Sequence, residues 1–440
     1  MRWLANFALV ALVVAPATAL ANGRNPHTVG IYFRPGDADA VYVSTTFGLL
    51  RSNDQGCTFN WMCEQSIGYS GTWDPHYAVA ADGTIFATTF DGVRISRDGG
   101  CSFTTASSTN GRWIDAITIG PTGEIWIGTA ETGGVNDVLA STNNGASFES
   151  RGMQSPEIWW KSVKIAPSNP QRVYITGYKV ATAPTAYFYR SDNGGMQWTP
   201  SPLANVTYGG TPVVRVQAVD PSNPDIVYMT SEASNAPTGD RLYRSTDGGT
   251  TWTEVLAAGA LVHDVLITDA THVFVATQLR TASSLVGGPT YASTDGGLTF
   301  APMIGAPELA CIVQRPDGAL LGCGANWEPD FKAIALSTDG GATWEKAFRF
   351  VEMNDALQCK AGTVQHDTCD VMLWDCPTCG TDLKRQFTVK GPTCGVADTA
   401  TPKKPSAGCC DAGGHAPGGS ALLVVGVSFF LRRRRRARAR

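Results

Sequence analysis

Five acidic side chains in this 440-residue chain stand where they could work on a polar ligand: Asp74, Asp115, Glu232, Asp264 and Glu328. Asp74 lies in Trp73-Asp74-Pro75-His76, Asp115 closes Arg112-Trp113-Ile114-Asp115, Asp264 follows His263, and Glu328 follows Trp327. Trp159-Trp160-Lys161 repeats the theme with a cation, and Arg215 adds another. Flat aromatic faces beside carboxylates and cations suit sugars or peptides, because they combine stacking area with hydrogen-bonding tips. Two carboxylates roughly 6.5–9.5 Å apart across a cleft would go further, one protonating a glycosidic oxygen while the other activates water. There is no GxSxG, HExxH, P-loop or EF-hand pattern beside them, so the sequence assigns no metal and no cofactor.

What must position these residues is a repeat. The signature S-x-[D/N]-x-G-x-[T/S/Q]-[W/F] occurs seven times, starting at Ser52, Ser96, Ser141, Ser191, Ser245, Ser293 and Ser337. Successive starts are 44, 45, 50, 54, 48 and 44 residues apart. A period of about 40–50 residues with short β segments between copies predicts a radial all-β propeller, one blade per copy, hence seven blades. The box is structural: Asp54, Asp98, Asn143, Asn193, Asp247, Asp295 and Asp339 bond locally in a turn, and the glycine supplies positive φ. Strand runs such as Val41-Tyr42-Val43-Ser44 and Val227-Tyr228-Met229-Thr230 sit between the boxes. Blade five reads as Val213–Val219, Ile226–Thr230, Asp240–Ser245 and Thr250–Leu256.

The boxes resemble the BNR or Asp-box repeat family, which includes sialidases, plant-polysaccharide hydrolases, sortilin-type receptors and photosystem-assembly propellers. The resemblance covers about residues 28 to 356. It implies that the boxes lie between third and fourth strands, on the face away from the ligand. The ligand face then carries the loops joining second and third strands and the starts of the inner strands. On it fall Trp73, Asp74, Trp113, Asp115, Trp160, Lys161, Arg215, Glu232, His263, Asp264, Trp327 and Glu328. The tryptophans have a second reading as plugs of the central tunnel. Sialidase chemistry fits poorly: Phe33-Arg34-Pro35 lacks the isoleucine of the sialidase motif, and Arg112, Arg215, Arg241 and Arg280 show no triad spacing.

The ends read as export signals. Residues 1–21 form a signal peptide, with Arg2, an apolar Phe7–Val14 and cleavage after Ala21 or Ala19. Residues 22–356 are the propeller, 357–405 a Cys-rich segment and linker, and 406–440 a sorting region. In that last region Cys409-Cys410 precede an 11-residue apolar run, Ala421 to Leu431, and seven arginines. It resembles a MYXO-CTERM sorting signal, which implies a sorting protease and display at the cell surface. A plain C-terminal membrane anchor is the alternative. Without Arg2, the terminal arginines and Asp411, 26 basic residues face 37 acidic ones, near −11, which disfavours nucleic acid as a partner.

Twelve cysteines agree with an oxidising compartment. Cys311 and Cys323 flank a turn on two paired strands and can meet across it. Cys359, Cys369, Cys376, Cys379 and Cys394 are an odd set, so one of them is expected to reach back to Cys57, Cys63 or Cys101. Together these features read as an exported, surface-anchored binding propeller with a glycan or protein partner at the envelope. The alternative is a polysaccharide-cleaving glycoside hydrolase.

Overall fold

The structure, a computed structural model, describes residues 26–394 apart from 71–72, 181–183, 209–210, 233–238, 281–284, 328–329 and 380–381. Its strands form seven sheets, each a set of antiparallel strands consecutive in the chain, and the first sheet takes one further, parallel strand from beyond the last blade. The first strand of each sheet is its inner strand: Thr28–Arg34, Tyr77–Val79, Ile114–Ile119, Ile158–Ala166, Val214–Val219, Leu261–Ile267 and Cys311–Gln314. Each inner strand packs beside the next, and the seventh returns to the first, so the ring is closed. Seven boxes have given seven blades. Blade five comprises Val214–Val219, Val227–Ser231, Arg241–Ser245 and Thr253–Ala257, each within a few residues of its expected place.

Alternation explains why these runs form strands. Val41 and Val43 enter the cluster shared with blade seven, while Tyr42 between them enters the one shared with blade two. Both faces of a blade are covered by neighbours, so its strands read as near-continuous apolar runs. Burying a side chain such as Phe86, fully enclosed between blades two and three, contributes about 1.5–3 kcal/mol.

Each box spans the turn between third and fourth strands. In the fifth, Ser245 Oγ donates to Asp247 Oδ1 (2.8 Å) and accepts from the Gly249 backbone N–H (2.8 Å). The Thr251 backbone N–H and hydroxyl then donate to the two Asp247 oxygens at 2.8 and 2.7 Å. Asp339 receives the same bonds, Thr343 first among them, and its pKa falls to about 2. The glycine also has a packing reason. Gly195 has φ +81°, and a Cβ there would meet the Trp126 ring of the preceding blade at 2.5 Å.

Past blade seven, Asp355–Ala356 pairs in parallel with Asn60–Met62, the outer strand of blade one. The segment that follows is held there by packing and by sulfur. Trp374 is fully buried, its ring 5.7 Å from that of Trp61, and the Gln365 amide donates to the Trp61 carbonyl (2.9 Å). All ten described cysteines are paired: Cys57–Cys394, Cys63–Cys369, Cys101–Cys359, Cys311–Cys323 and Cys376–Cys379. The hairpin pair is as expected. Three members of the C-terminal set, Cys359, Cys369 and Cys394, reach back to the first two blades, not the single one expected from parity. Among the described residues no helix is long and apolar enough to cross a membrane. The signal peptide, the end of the linker and the sorting region with Cys409 and Cys410 lie outside the described residues.

Candidate functional site

In an antiparallel blade, turns alternate between the two ends. With boxes between third and fourth strands, the opposite face carries the second-to-third turns and the inner-strand starts. On that face the rings of blades two to four form one continuous ribbon. Trp73 lies 5.1 Å from Phe90, Phe90 5.1 Å from Trp113, Trp113 5.5 Å from Trp159, and Trp159 5.8 Å from Tyr178, centroid to centroid. Phe90 is 53% exposed, and the other four rings are half-buried. Trp73, Trp113 and Trp159 come from inner-strand starts; Phe90 comes from a second-to-third turn and Tyr178 from the end of the second strand of blade four, Asn169–Lys179.

A β-bulge near the start of several inner strands aims polar side chains inward. In blade three the register steps from Ile114↔Thr129 to Ala116↔Gly128, leaving Asp115 as the extra residue. Blade four does the same at Lys161 and blade six at His263. A bulge re-aims the side chain it inserts. Asp115 Oδ2 meets Lys161 Nζ at 2.7 Å and Arg215 Nη1 at 3.3 Å, and Arg215 is ion-paired with Glu232. The Arg215 guanidinium also donates to the Lys161 carbonyl (2.6 Å). Asp115 and Lys161 are both buried. Burial would raise the Asp115 pKa, but the adjacent Arg215 and Lys161 outweigh it and hold the carboxylate ionised.

This ionic cluster supports the ribbon. Lys161 Nζ sits 5.5 Å from the Trp113 ring centroid, and the Trp113 backbone N–H donates to Glu131 Oε2 (2.8 Å). Glu131 is fixed in turn by the fully buried Asn136, whose side-chain amide donates to the Glu131 carbonyl (2.9 Å).

Beside the cluster lie His76, His263, Lys164 and Asp264. His76 is exposed, within the field of Asp115, Lys164, Arg215 and His263 from blades three to six. Reduced solvation near the channel, then the positive charge of Arg215, lowers its pKa to about 4. Asp264 is shifted the other way: burial raises it, against the pull of His263 and Lys164. Its Oδ2 accepts the Ile312 N–H (3.3 Å) from blade seven. Asp115 and Asp264 are thus carboxylates with opposite tendencies near one channel.

Trp73 and Trp113 precede inner strands, Asp115, Lys161, Arg215, His263 and Asp264 lie near inner-strand starts, Glu232 follows the second strand of blade five, and Asp74 is half-buried beside Trp73. One residue needs correcting. Trp160 is 1% exposed, packed in the core between blades three and four, and its neighbour Trp159 takes the ribbon position. Trp327 packs edge-on against His27 (4.9 Å) at the junction of blades seven and one, apart from the ribbon's ring contacts. Glu328 lies outside the described residues. Phe90 and Tyr178 are not among the site candidates read from sequence, and Trp159 entered only as part of Trp159-Trp160-Lys161, with Trp160 taken as the candidate. An aromatic in the turn Thr89-Phe90-Asp91-Gly92 was the available signal for Phe90. Among the described residues no group of three or more His, Cys, Asp or Glu is placed to hold a metal ion.

No protein-family model matches the chain. No curated protein matches it. Solved structures do resemble it. A GH74 enzyme of Niastella koreensis is 18% identical over 72% of this chain and 65% of its own, with a TM-score of 0.42. An ancestral GH74 enzyme is 16% identical over 74% and 47%, at 0.49. A PL25 ulvan lyase is 11% identical over 74% and 96%, at 0.44. This chain therefore spans less than two thirds of either GH74 enzyme. At these identities and scores the likeness adds no argument about ligand or reaction.

Proposed function

We propose that this chain is an exported propeller that binds an oligosaccharide along the ribbon Trp73–Phe90–Trp113–Trp159–Tyr178. The observation that carries the reading is the continuity of five rings across three blades, bordered by the polar groups of the channel mouth. Sugar rings present apolar faces to such surfaces and hydroxyls to the groups beside them. Stacking adds about 0.5–1.5 kcal/mol per aromatic beyond area burial, so several weak contacts in a row suit an extended polymer. Five disulfides among the described residues support an oxidising compartment. Surface anchoring through the C-terminal region, with processing by a sorting protease, belongs to the same proposal.

Binding is favoured over hydrolysis because two of the candidate carboxylates are engaged. Asp115 is buried between two cations, and Glu232 is paired with Arg215. One observation favours the second reading, glycoside hydrolysis: Asp264 tends toward the protonated form while Asp115 stays ionised, and such divergence separates an acid from a base. A panel of immobilised polysaccharides separates the two. A binder retains intact chains, and a hydrolase releases reducing ends that Asp264→Asn abolishes.

A further inference from the structure

Four of the five disulfides among the described residues hold parts of the fold together. Cys57–Cys394, Cys63–Cys369 and Cys101–Cys359 join residues 337, 306 and 258 positions apart and tie the segment past blade seven to blades one and two. Cys311–Cys323 is buried between two paired strands. Cys376–Cys379 is different. Its sequence separation is 3, and the restraint a disulfide places on the unfolded chain falls with the length of the loop it closes.

The turn it spans is held without it. The Cys379 N–H donates to the Cys376 carbonyl (3.0 Å), and Pro377 fixes the backbone angle at the second position of the turn. Behind the turn, Trp374 is fully buried and Cys369 is bonded to Cys63, so the base of the loop stays on blade one whatever the state of the pair. Two thiols formed here would therefore remain side by side, ready to close again.

The pair is also accessible. Cys379 is exposed and Cys376 half-buried. The Thr378 hydroxyl lies 3.7 Å from Cys376 Sγ, placed to donate to a thiolate there. Asp375, the carboxylate next to Cys376, is paired with Lys384 Nζ (3.1 Å), which offsets its repulsion of a negative sulfur. Val371 and Met372, on the last turn of the helix Gln365–Trp374, are each 52% exposed and present apolar surface to a chain approaching the loop.

We propose that Cys376–Cys379 is a thiol–disulfide exchange site that accepts two electrons from a dithiol on an extended polypeptide. A thiolate of that polypeptide attacks Cys379 Sγ, the S–S bond breaks, and Cys376 leaves as a thiolate. The polypeptide's second thiolate then attacks its own sulfur in the mixed disulfide and releases Cys379. The two protons lost by the polypeptide are taken up, through solvent, by Cys376 and Cys379. The polypeptide ends as a disulfide and the turn as a dithiol, so one turnover needs no other oxidant. The activity is independent of the aromatic ribbon.

The test mixes the oxidised full chain with an equimolar, reduced synthetic peptide bearing two cysteines, then quenches with acid, alkylates free thiols and maps them by mass. Peptide disulfide should appear in step with alkylated Cys376 and Cys379, while the other four disulfides stay closed. In the reverse direction, Cys376→Ser protein offered the oxidised peptide should accumulate a mixed disulfide on Cys379. Cys379→Ser protein should accumulate far less, because Cys376 is the less accessible sulfur. The Cys376→Ser/Cys379→Ser variant should lose the exchange and keep its melting temperature within a few degrees. Peptide oxidation no faster than with that double variant overturns the site, as does reduction of Cys57–Cys394 first, whose Cys394 is also exposed. Equal trapping by the two single variants contradicts Cys379 as the attacked sulfur. A double variant that fails to fold overturns the proposal too, because the pair would then be structural.

Discussion

Phe90, in a turn of blade two, lies 5.1 Å from Trp113, at the start of the inner strand of blade three, and that contact joins two blades into one aromatic surface. Phe90 is more than half exposed, so little of the fold depends on it. Phe90→Ala should weaken oligosaccharide binding by about 0.5–1.5 kcal/mol, roughly 2- to 12-fold. Its melting temperature should move by no more than a few degrees. Calorimetric titration with thermal melts checks both.

Trp159 and Trp160 are adjacent, yet they should respond in opposite ways. Trp160→Ala opens a cavity between blades three and four and should cost about 3–5 kcal/mol of stability, read by denaturant unfolding. Trp159→Ala should leave stability nearly intact and reduce binding.

That pair also shows where the sequence stopped being legible. Box spacing exposed seven blades because each box repeats the same turn, and in six of the seven the glycine seats against the preceding blade. Which of two neighbouring tryptophans faces outward depends on strand parity. The bulge at Lys161 breaks that parity, and nothing in Trp159-Trp160-Lys161 announces it. Phe90 was missed for a related reason: a lone aromatic in a short turn gains meaning only when the next blade brings Trp113 beside it. The cysteines held an unused clue. Cys57 and Cys101 occupy the same box position, so both had to face the same covering segment.

Asp115 neutralises two cations from the next two blades. Asp115→Ala leaves Lys161 buried and Arg215 half-paired, and should cost about 3–5 kcal/mol of stability. Because Lys161 lies over Trp113, ligand binding should fall as well. A variant of unchanged stability would remove the cluster from its supporting role.

His76 provides a pH signature. Its pKa is lowered from 6.5 to about 4, so the folded protein binds its proton less readily than the unfolded chain does. The contribution of neutral His76 to stability is complete above about pH 6.5 and is lost progressively as pH falls toward 4. NMR titration of the His76 ring should give a midpoint near 4, and a midpoint near 6.5 would show that its surroundings, Arg215 included, do not disfavour the charged ring. Ligand affinity should show no His76 transition between pH 5.5 and 8.

The most direct test of ribbon binding is retention of intact polysaccharide by the full chain and by a Phe90→Ala/Trp159→Ala double variant, with reducing ends assayed in both. Retention by the unaltered protein, loss in the double variant at a nearly unchanged melting temperature, and no new reducing ends is the predicted result. Equal retention by both proteins would contradict the ribbon as the binding surface, and release of reducing ends by the unaltered protein would contradict a binding role without hydrolysis.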